Sequence, residues 1–446
     1  MTRTLIRGAD VVVTMDTERR EIAGGAILLK DGVIEAIGGD ISTWPVADEI
    51  VDASGCVVTP GLINTHHHLY QSLTRALAAS APLFGWLKTL YPIWARMTPE
   101  DYVTGAEIGL AELALSGCTL TSDHQYIFPN GARLDDTIHA ARAMGIRFQA
   151  TRGSMSIGES QGGLPPDSVV ERESDILEDC VRIVDAFHDP KPGAMTRVAL
   201  APCSPFSVSR ELMRDSALLA RDKGVMLHTH LAENDEDIAY SLEKFGCRPG
   251  DYAEQLGWTG ADVWYAHCVK LDAKETALFA ATKTGIAHCP CSNCRLGSGT
   301  APVSALLKAG VKIGLGVDGS ASNDSGHLLS EARQAMLMQR AAYGADVMTP
   351  RGALELATLG GARVLGRDDV GALVPGMRAD IAIWDMRTLA VAGAWDLVDA
   401  LILCGPHRAK HLIVEGKHIV ADGALTTIDT GRLAETARAA VRRLMA

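Results

Sequence analysis

No run of about eighteen consecutive apolar residues, the length a bilayer-spanning helix needs, occurs in this chain of 446 residues, so no membrane partner is expected. Positive charge is also in short supply. The net charge of −12 and a pI near 5.6 oppose attraction to nucleic-acid phosphates or anionic lipid, which argues against both as partners. At the start, MTRTLIRGADVVVTMD has no continuous apolar core of a signal peptide, because Arg7 and Asp10 interrupt it. Cysteine is present ten times, but Cys289, Cys291 and Cys294 in HCPCSNC lack a second cluster to complete a zinc ribbon, and free thiols in a reducing cytoplasm are expected. Internal repeats and low-complexity segments are missing, and no G-x-G-x-x-G follows the first barrel-type strand, which removes the signature of a dinucleotide-binding sheet.

What remains is an ordinary globular composition, 47% hydrophobic and 22% charged, long enough for one large α/β barrel with an accessory domain. Short β runs with glycine turns fill the first sixty residues, including a hairpin turn at Lys30-Asp31-Gly32. The same pattern returns in ADIAIWD (379–385) and HLIVEGKHIVADG (411–423). Neither set makes a stable sheet easily by itself, so a composite β-sandwich from both termini is expected, over 1–59 and 368–446, with a terminal helix in TGRLAETARAAVRRLMA opened by a threonine cap. Between them, over 60–367, eight apolar runs of strand length alternate with helix-length segments: VVTPGLINTHHH, GCTLTSDHQ, GIRFQATRG, RVALAPCS, GVMLHTHLAE, VWYAHC, GIAHCPCSN and KIGLGVDGS. Eight βα units with fully apolar strands predict an α/β fold, a distorted (β/α)8 TIM-like barrel.

In such a barrel the chemistry sits at the C-terminal strand ends. The first strand ends in His66, His67 and His68, and alternation turns His66 and His68 inward together and His67 outward. The fifth ends with His228, His230 and Glu233, the sixth with His267 and the eighth with Asp318. Buried without a metal, these groups would be left unpaired; three imidazoles and a carboxylate suit one zinc or iron ion with a position left for water. The expected ligands are His66, His68, His230 and Asp318. His228 shares the parity of His230 and competes with it, Asp123 and His124 are further candidates, and His67 and His288 read as structural. RVALAPCS contains no lysine to bridge a second ion, so one metal is expected. A metal lowers the pKa of water and makes hydroxide available, Glu233 can carry a proton to the substrate, and His267 and Asp318 can orient or deprotonate the water. Such an assembly hydrolyses a polarised carbon, typically C–N.

The motifs PGLINTHHH, HTHLAE, AHC, HCPCSN, GLGVDGSASND and PGMRADIAIWD together resemble the amidohydrolase superfamily, in its mononuclear branch of aminohydrolases acting on nucleobases, pterins and triazines, over nearly the whole chain. The resemblance implies the same metal ligands, Glu233 as proton shuttle, His267 toward water and substrate, and a homo-oligomer. Guanine deaminases of this branch use a glutamine three residues after the second ligand histidine, where Gln71 stands, and an arginine at the end of strand four, where this chain has APCSPFS and Cys203. The implied substrate is therefore an oxidised purine, 8-oxoguanine converted to urate and ammonia, with isoxanthopterin, guanine or an s-triazine as the alternatives. Cys203, Tyr126, Arg152 and Trp86 are candidates to line the imidazole side of the base. Core packing competes for Trp86, and a structural salt bridge competes for Arg152. A non-catalytic metal-binding barrel would be expected to lose Glu233 or His267, and both are present.

Overall fold

The computed structural model describes residues 2–446. Five strands lead the chain: β1 (Arg3–Val13), β2 (Glu21–Lys30), β3 (Val33–Gly38), β4 (Glu49–Asp52) and β5 (Cys56–Pro60). The β2–β3 hairpin turns through Asp31 and Gly32 at φ +50° and +79°, the left-handed pair that matches the twist of the flanking strands. Eight parallel strands then close into a barrel: β6 (Leu62–Asn64), β7 (Cys118–Gln125), β8 (Arg147–Ser154), β9 (Thr196–Pro202), β10 (Met226–Leu231), β11 (Val263–His267), β12 (Gly285–His288) and β13 (Lys312–Leu315). These are the eight runs expected from the sequence. Every residue of β7 and β8 is buried, because helices cover the outside while side chains fill the interior.

Closure depends on the shortest barrel strand. β6 meets β13 at Asn64 and Leu315, and the pairing runs on past both strands, with Thr65 N donating to Leu315 O at 2.8 Å and Asp318 N to His66 O at 3.1 Å. The Asn64 amide stitches this seam, donating to Thr121 Oγ1 at 2.9 Å and accepting from Val317 N at 2.9 Å. The backbone that carries His66 and His68 is thereby tied directly to the backbone that carries Asp318.

After the barrel come β14 (Ile381–Asp385), β15 (His411–Val414), β16 (Lys417–Ala421) and β17 (Ala424–Leu425). They join the N-terminal strands in one nine-stranded sheet in which β14 pairs antiparallel with β5 and β5 lies parallel to β1. Ile6, Val12, Ile27, Val58, Ile381 and Ile413 form its own apolar core. The C-terminal helix Thr430–Met445 packs against Pro99–Leu115, but the expected threonine cap is corrected: Asp429 caps it, its carboxylate accepting from Gly431 N and Arg432 N. A carboxylate one residue earlier reaches the free N–H groups and also favours the positive end of the helix.

Barrel and terminal sheet are joined by a buried charge. Arg147, at the start of β8, is fully buried; it grips Asp380 through two hydrogen bonds of 2.7 and 2.9 Å, donates to Gly193 O at 2.6 Å and pairs with Glu415. Arg147→Met leaves the buried Asp380 without its cation and is expected to destabilise the protein by about 3–5 kcal/mol. Chemical denaturation monitored by tryptophan fluorescence measures this, and a loss under about 1 kcal/mol would show that the pair does not brace the junction.

Candidate metal centre and active site

Each histidine of the cluster has one ring nitrogen committed to a partner that sets the position of its proton. His68 Nδ1 lies 2.7 Å from His124 O and His230 Nδ1 lies 2.6 Å from Cys203 O; a carbonyl only accepts, so both rings carry the proton on Nδ1. His228 Nδ1 donates in the same way to Trp264 O at 2.9 Å, which leaves its Nε2 to accept from His66 Nδ1 at 2.8 Å. All three inward rings therefore present a bare Nε2 lone pair. His66 Nε2 has no hydrogen-bond partner, and the Nε2 atoms of His68 and His230 face each other at 3.2 Å, an arrangement in which neither can donate.

Asp318 completes the set, with Oδ1 3.2 Å from His66 Nε2 and 3.3 Å from His68 Nε2. Donor–donor edges of this length are close to the edge of about 3.4 Å expected for a tetrahedral ion with bonds of about 2.1 Å. The donor set fits a divalent cation, because electron-rich atoms at these distances repel one another without one. Burial holds the His66 and His230 rings well below the usual imidazole range, the latter to about 3, which keeps them in the neutral form a metal needs.

Around this cradle the other expected residues fall into place in different degrees. Glu233 and His267 stand together, with His267 Nε2 3.6 Å from Glu233 Oε2 and 3.9 Å from Asp318 Oδ2. Burial raises the Glu233 pKa and the positive field of His267 opposes it; for His267 burial works against protonation, yet Glu233 and Asp318 outweigh it and its pKa is raised. His267 and Asp318 both have left-handed backbones, φ +71° and +62°, an uncommon conformation for residues with a side chain and one that clusters at functional sites. His68, Gln71, Trp86, Tyr126, Cys203 and Glu233 line one cavity against the cluster. Gln71 is fully buried and both its amide oxygen and nitrogen lack partners; Gly319 faces it so closely that a β-carbon there would overlap the amide. Trp86 lines the cavity while its indole donates to Ala321 O at 2.9 Å and its ring meets Trp94 edge-on, as core packing requires. Burial pushes the Cys203 thiol up to about 12, so it is neutral.

Arg152 is not brought to this cavity. Its guanidinium turns outward to the covering segments, held by Glu171 and Asp179 at 2.7 Å each and stacked 4.1 Å from the Phe128 ring, so every charge-bearing face of it is occupied. The structural salt bridge is the correct alternative, and Arg152 is withdrawn as a substrate contact. His228 supports His66 from below. His124 joins the histidine cluster with Nε2 donating to Ala201 O at 2.8 Å and Nδ1 unpartnered, whereas Asp123 accepts from Leu69 N and fixes the turn after His68. His67 packs outward against Gly109, and His288 lies outside the cluster. Sequence reasoning missed Asn293, whose Oδ1 accepts from His267 Nδ1 at 3.0 Å, Ser292 and Ser322, which donate to Asp318 Oδ2 at 2.5 and 3.1 Å, and Ser298, which donates to Glu233 Oε1 at 3.3 Å. The segments HCPCSN and DGSASND were singled out as motifs, and their small polar residues were the available signal for Ser292, Asn293 and Ser322; Ser298 lies outside both.

The chain belongs to the amidohydrolase family, which it matches over residues 57–417, and with its deaminase relatives it is a hydrolase of C–N bonds. Its metal dependence follows from that membership and from the donor set. Among individual proteins, the chain is 46% identical to 8-oxoguanine deaminase from Pseudomonas aeruginosa, with 100% of both chains covered. It is 37% identical to isoxanthopterin deaminase from an unknown prokaryotic organism, over 99% of this chain and 97% of that one. Atrazine chlorohydrolase from Arthrobacter aurescens TC1, solved in complex with zinc, superposes with a TM-score of 0.93 at 35% identity, covering 98% of this chain and 100% of that one.

Two substitutions separate a ligand from its support. His230→Ala is expected to lose bound metal under mild chelation, while His228→Ala frees the His66 ring to change tautomer and is expected to weaken affinity about 10–100-fold. Metal-to-protein ratio after dialysis against a chelator reads both, and wild-type retention by His230→Ala would move the ligand role to His228.

Proposed function

We propose that the protein hydrolytically deaminates 8-oxoguanine to urate and ammonia with one divalent ion, zinc in preference to iron, held by His66, His68, His230 and Asp318. The observation that carries this reading is the full-length 46% identity to a deaminase of that base, joined to a cavity that presents a free amide against the metal cradle. Zinc is favoured because a zinc complex is known for a relative of nearly identical fold, and a single ion because β9 has no lysine to bridge two.

The chemistry supplied there by the ion is acidification of a water toward neutral pH. Gln71 reads the pyrimidine edge of the base: its oxygen accepts from N1–H and its amide donates to the C6 oxygen, which satisfies two buried groups that otherwise lack partners. Glu233 removes the proton of the attacking water and delivers it to N3, beside the amino-bearing carbon C2. It then takes the remaining proton of the added water from the new C2 hydroxyl and passes it to the amino group; as that C–O bond becomes a carbonyl, the C2–N bond breaks and ammonia leaves. Burial raises the Glu233 pKa above its ordinary value, which favours its giving back the proton that it takes. His267, anchored through Nδ1 by Asn293, aims Nε2 at the water and at the developing charge. Trp86 and Tyr126 wall the ring from bulk water, and the neutral Cys203 thiol stands where an arginine would offer a charge.

The enzyme's partner is this small heterocycle. Ten free cysteines fit a reducing, cytoplasmic setting, and the fully exposed Trp395 and Leu389 fit burial against another copy in a homo-oligomer.

Glu233→Gln is expected to keep its metal and lose at least about 100-fold in kcat. Ammonia release by metal-assayed protein from 8-oxoguanine, guanine, isoxanthopterin and an aminotriazine tests the substrate. Fast release from 8-oxoguanine with weak guanine turnover supports it, whereas inert 8-oxoguanine beside a reactive second ring overturns it and leaves the deaminase chemistry standing.

A further inference from the structure

One carboxylate in the cavity has no part in the steps above. Asp237 lies in the first turn of the helix Asp235–Phe245, four residues after Glu233, and is 8% exposed. Its two oxygens differ. Oδ2 accepts from the backbone N–H of Glu233 at 2.8 Å and so fixes the turn that aims the proton shuttle. Oδ1 is buried and receives no hydrogen bond from the protein, although Asp237 lines the same cavity as Gln71, Glu233 and His267. No lysine or arginine pairs with it. A buried carboxylate oxygen without a donor is costly, and because Asp237 lines the cavity a bound ligand can supply the missing donor.

The chemistry of the base identifies that donor. Running along a purine from C2, the next atoms are N3, C4 and N9, so the position after the one served by Glu233 is N9. In 8-oxoguanine N9 carries a hydrogen, and the opposite edge, N1–H and the C6 oxygen, is taken by Gln71. We propose that Asp237 accepts the N9–H of the base through Oδ1 and thereby restricts the enzyme to free bases, excluding purines substituted at N9, nucleosides among them. This rests on the deaminase reading given above. Burial raises the Asp237 pKa to about 7, so an incoming N–H also draws it toward the charged, accepting form.

The test compares kcat/KM for 8-oxoguanine, 7-methyl-8-oxoguanine and 9-methyl-8-oxoguanine in wild-type enzyme and in Asp237→Asn. Asparagine can keep the bond to Glu233 N–H through its oxygen but turns a donor toward the ligand. In the wild type, 9-methylation is expected to cost about 100-fold or more and 7-methylation much less. In Asp237→Asn the preference for the parent over the 9-methyl base is expected to shrink at least about tenfold, because only the parent loses a bond. Proportional slowing of both substrates would assign Asp237 solely to positioning Glu233 and overturn the proposal. Equal wild-type turnover of parent and 9-methyl base overturns it without any variant. If 8-oxoguanine is inert in wild type while another ring reacts, the deaminase reading of the substrate fails first and this inference falls with it.

Discussion

Lone pairs that face one another hold the key constraint in this molecule. His68 and His230 oppose their Nε2 atoms at 3.2 Å, with the Asp318 carboxylate just as close to His66 and His68. Nothing within the protein can relieve this, because the protons that might do so are committed on the far sides of the rings to His124 O, Cys203 O and His228. The barrel mouth thus gathers a donor set suited to a metal. The seam between β6 and β13 shares the load, since Asn64 ties the strand bearing two histidines to the turn bearing the aspartate.

A second layer of polar contacts orders the groups around that cradle. Asn293 fixes which nitrogen of His267 faces Glu233 and Asp318, Ser292 and Ser322 hold the outer oxygen of Asp318, and Ser298 with Asp237 hold Glu233 at both ends. Each contact costs little to form in a buried site that is already ordered, and each removes a rotamer that would misdirect a proton. The left-handed backbones of His267 and Asp318 belong to the same economy of placement: conformational strain at two strand ends is tolerated where it aims functional groups.

Much of this was legible in the linear chain because strand geometry is periodic. Alternation alone turned His66 and His68 inward and His67 outward, and eight apolar runs were enough to announce the barrel. Parity stopped short where two residues share it: His228 and His230 both donate Nδ1 to a carbonyl, and they differ only in Nε2, which in His228 accepts from His66 Nδ1 and in His230 faces His68 Nε2. Arg152 misled because a charged residue at a strand end looks the same whether it faces the cavity or the covering helices. Its partners Glu171 and Asp179 lie 19 and 27 residues away, beyond any local pattern. Asp237, Asn293 and the serines are short side chains acting through a single hydrogen bond, and such contacts leave no trace in hydrophobic periodicity. The terminal helix differed for a similarly local reason, since Asp429 and Thr430 are both good caps and the choice between them is made by backbone angles.

The pairing of β5 with β14 has a consequence for how the protein is made. Residues 56–60 find their partner more than 300 positions later, at 381–385, so the N-terminal half-sheet leaves the ribosome with an open edge that stays unsatisfied until almost the whole chain has been synthesised. The barrel lies between these two strands and has time to close first. Its closure brings residues 60 and 381 near each other and shortens the effective loop the sheet must bridge. The sheet can therefore be completed only after the last barrel strand has been made, and β14 is the clasp that follows the barrel in the chain.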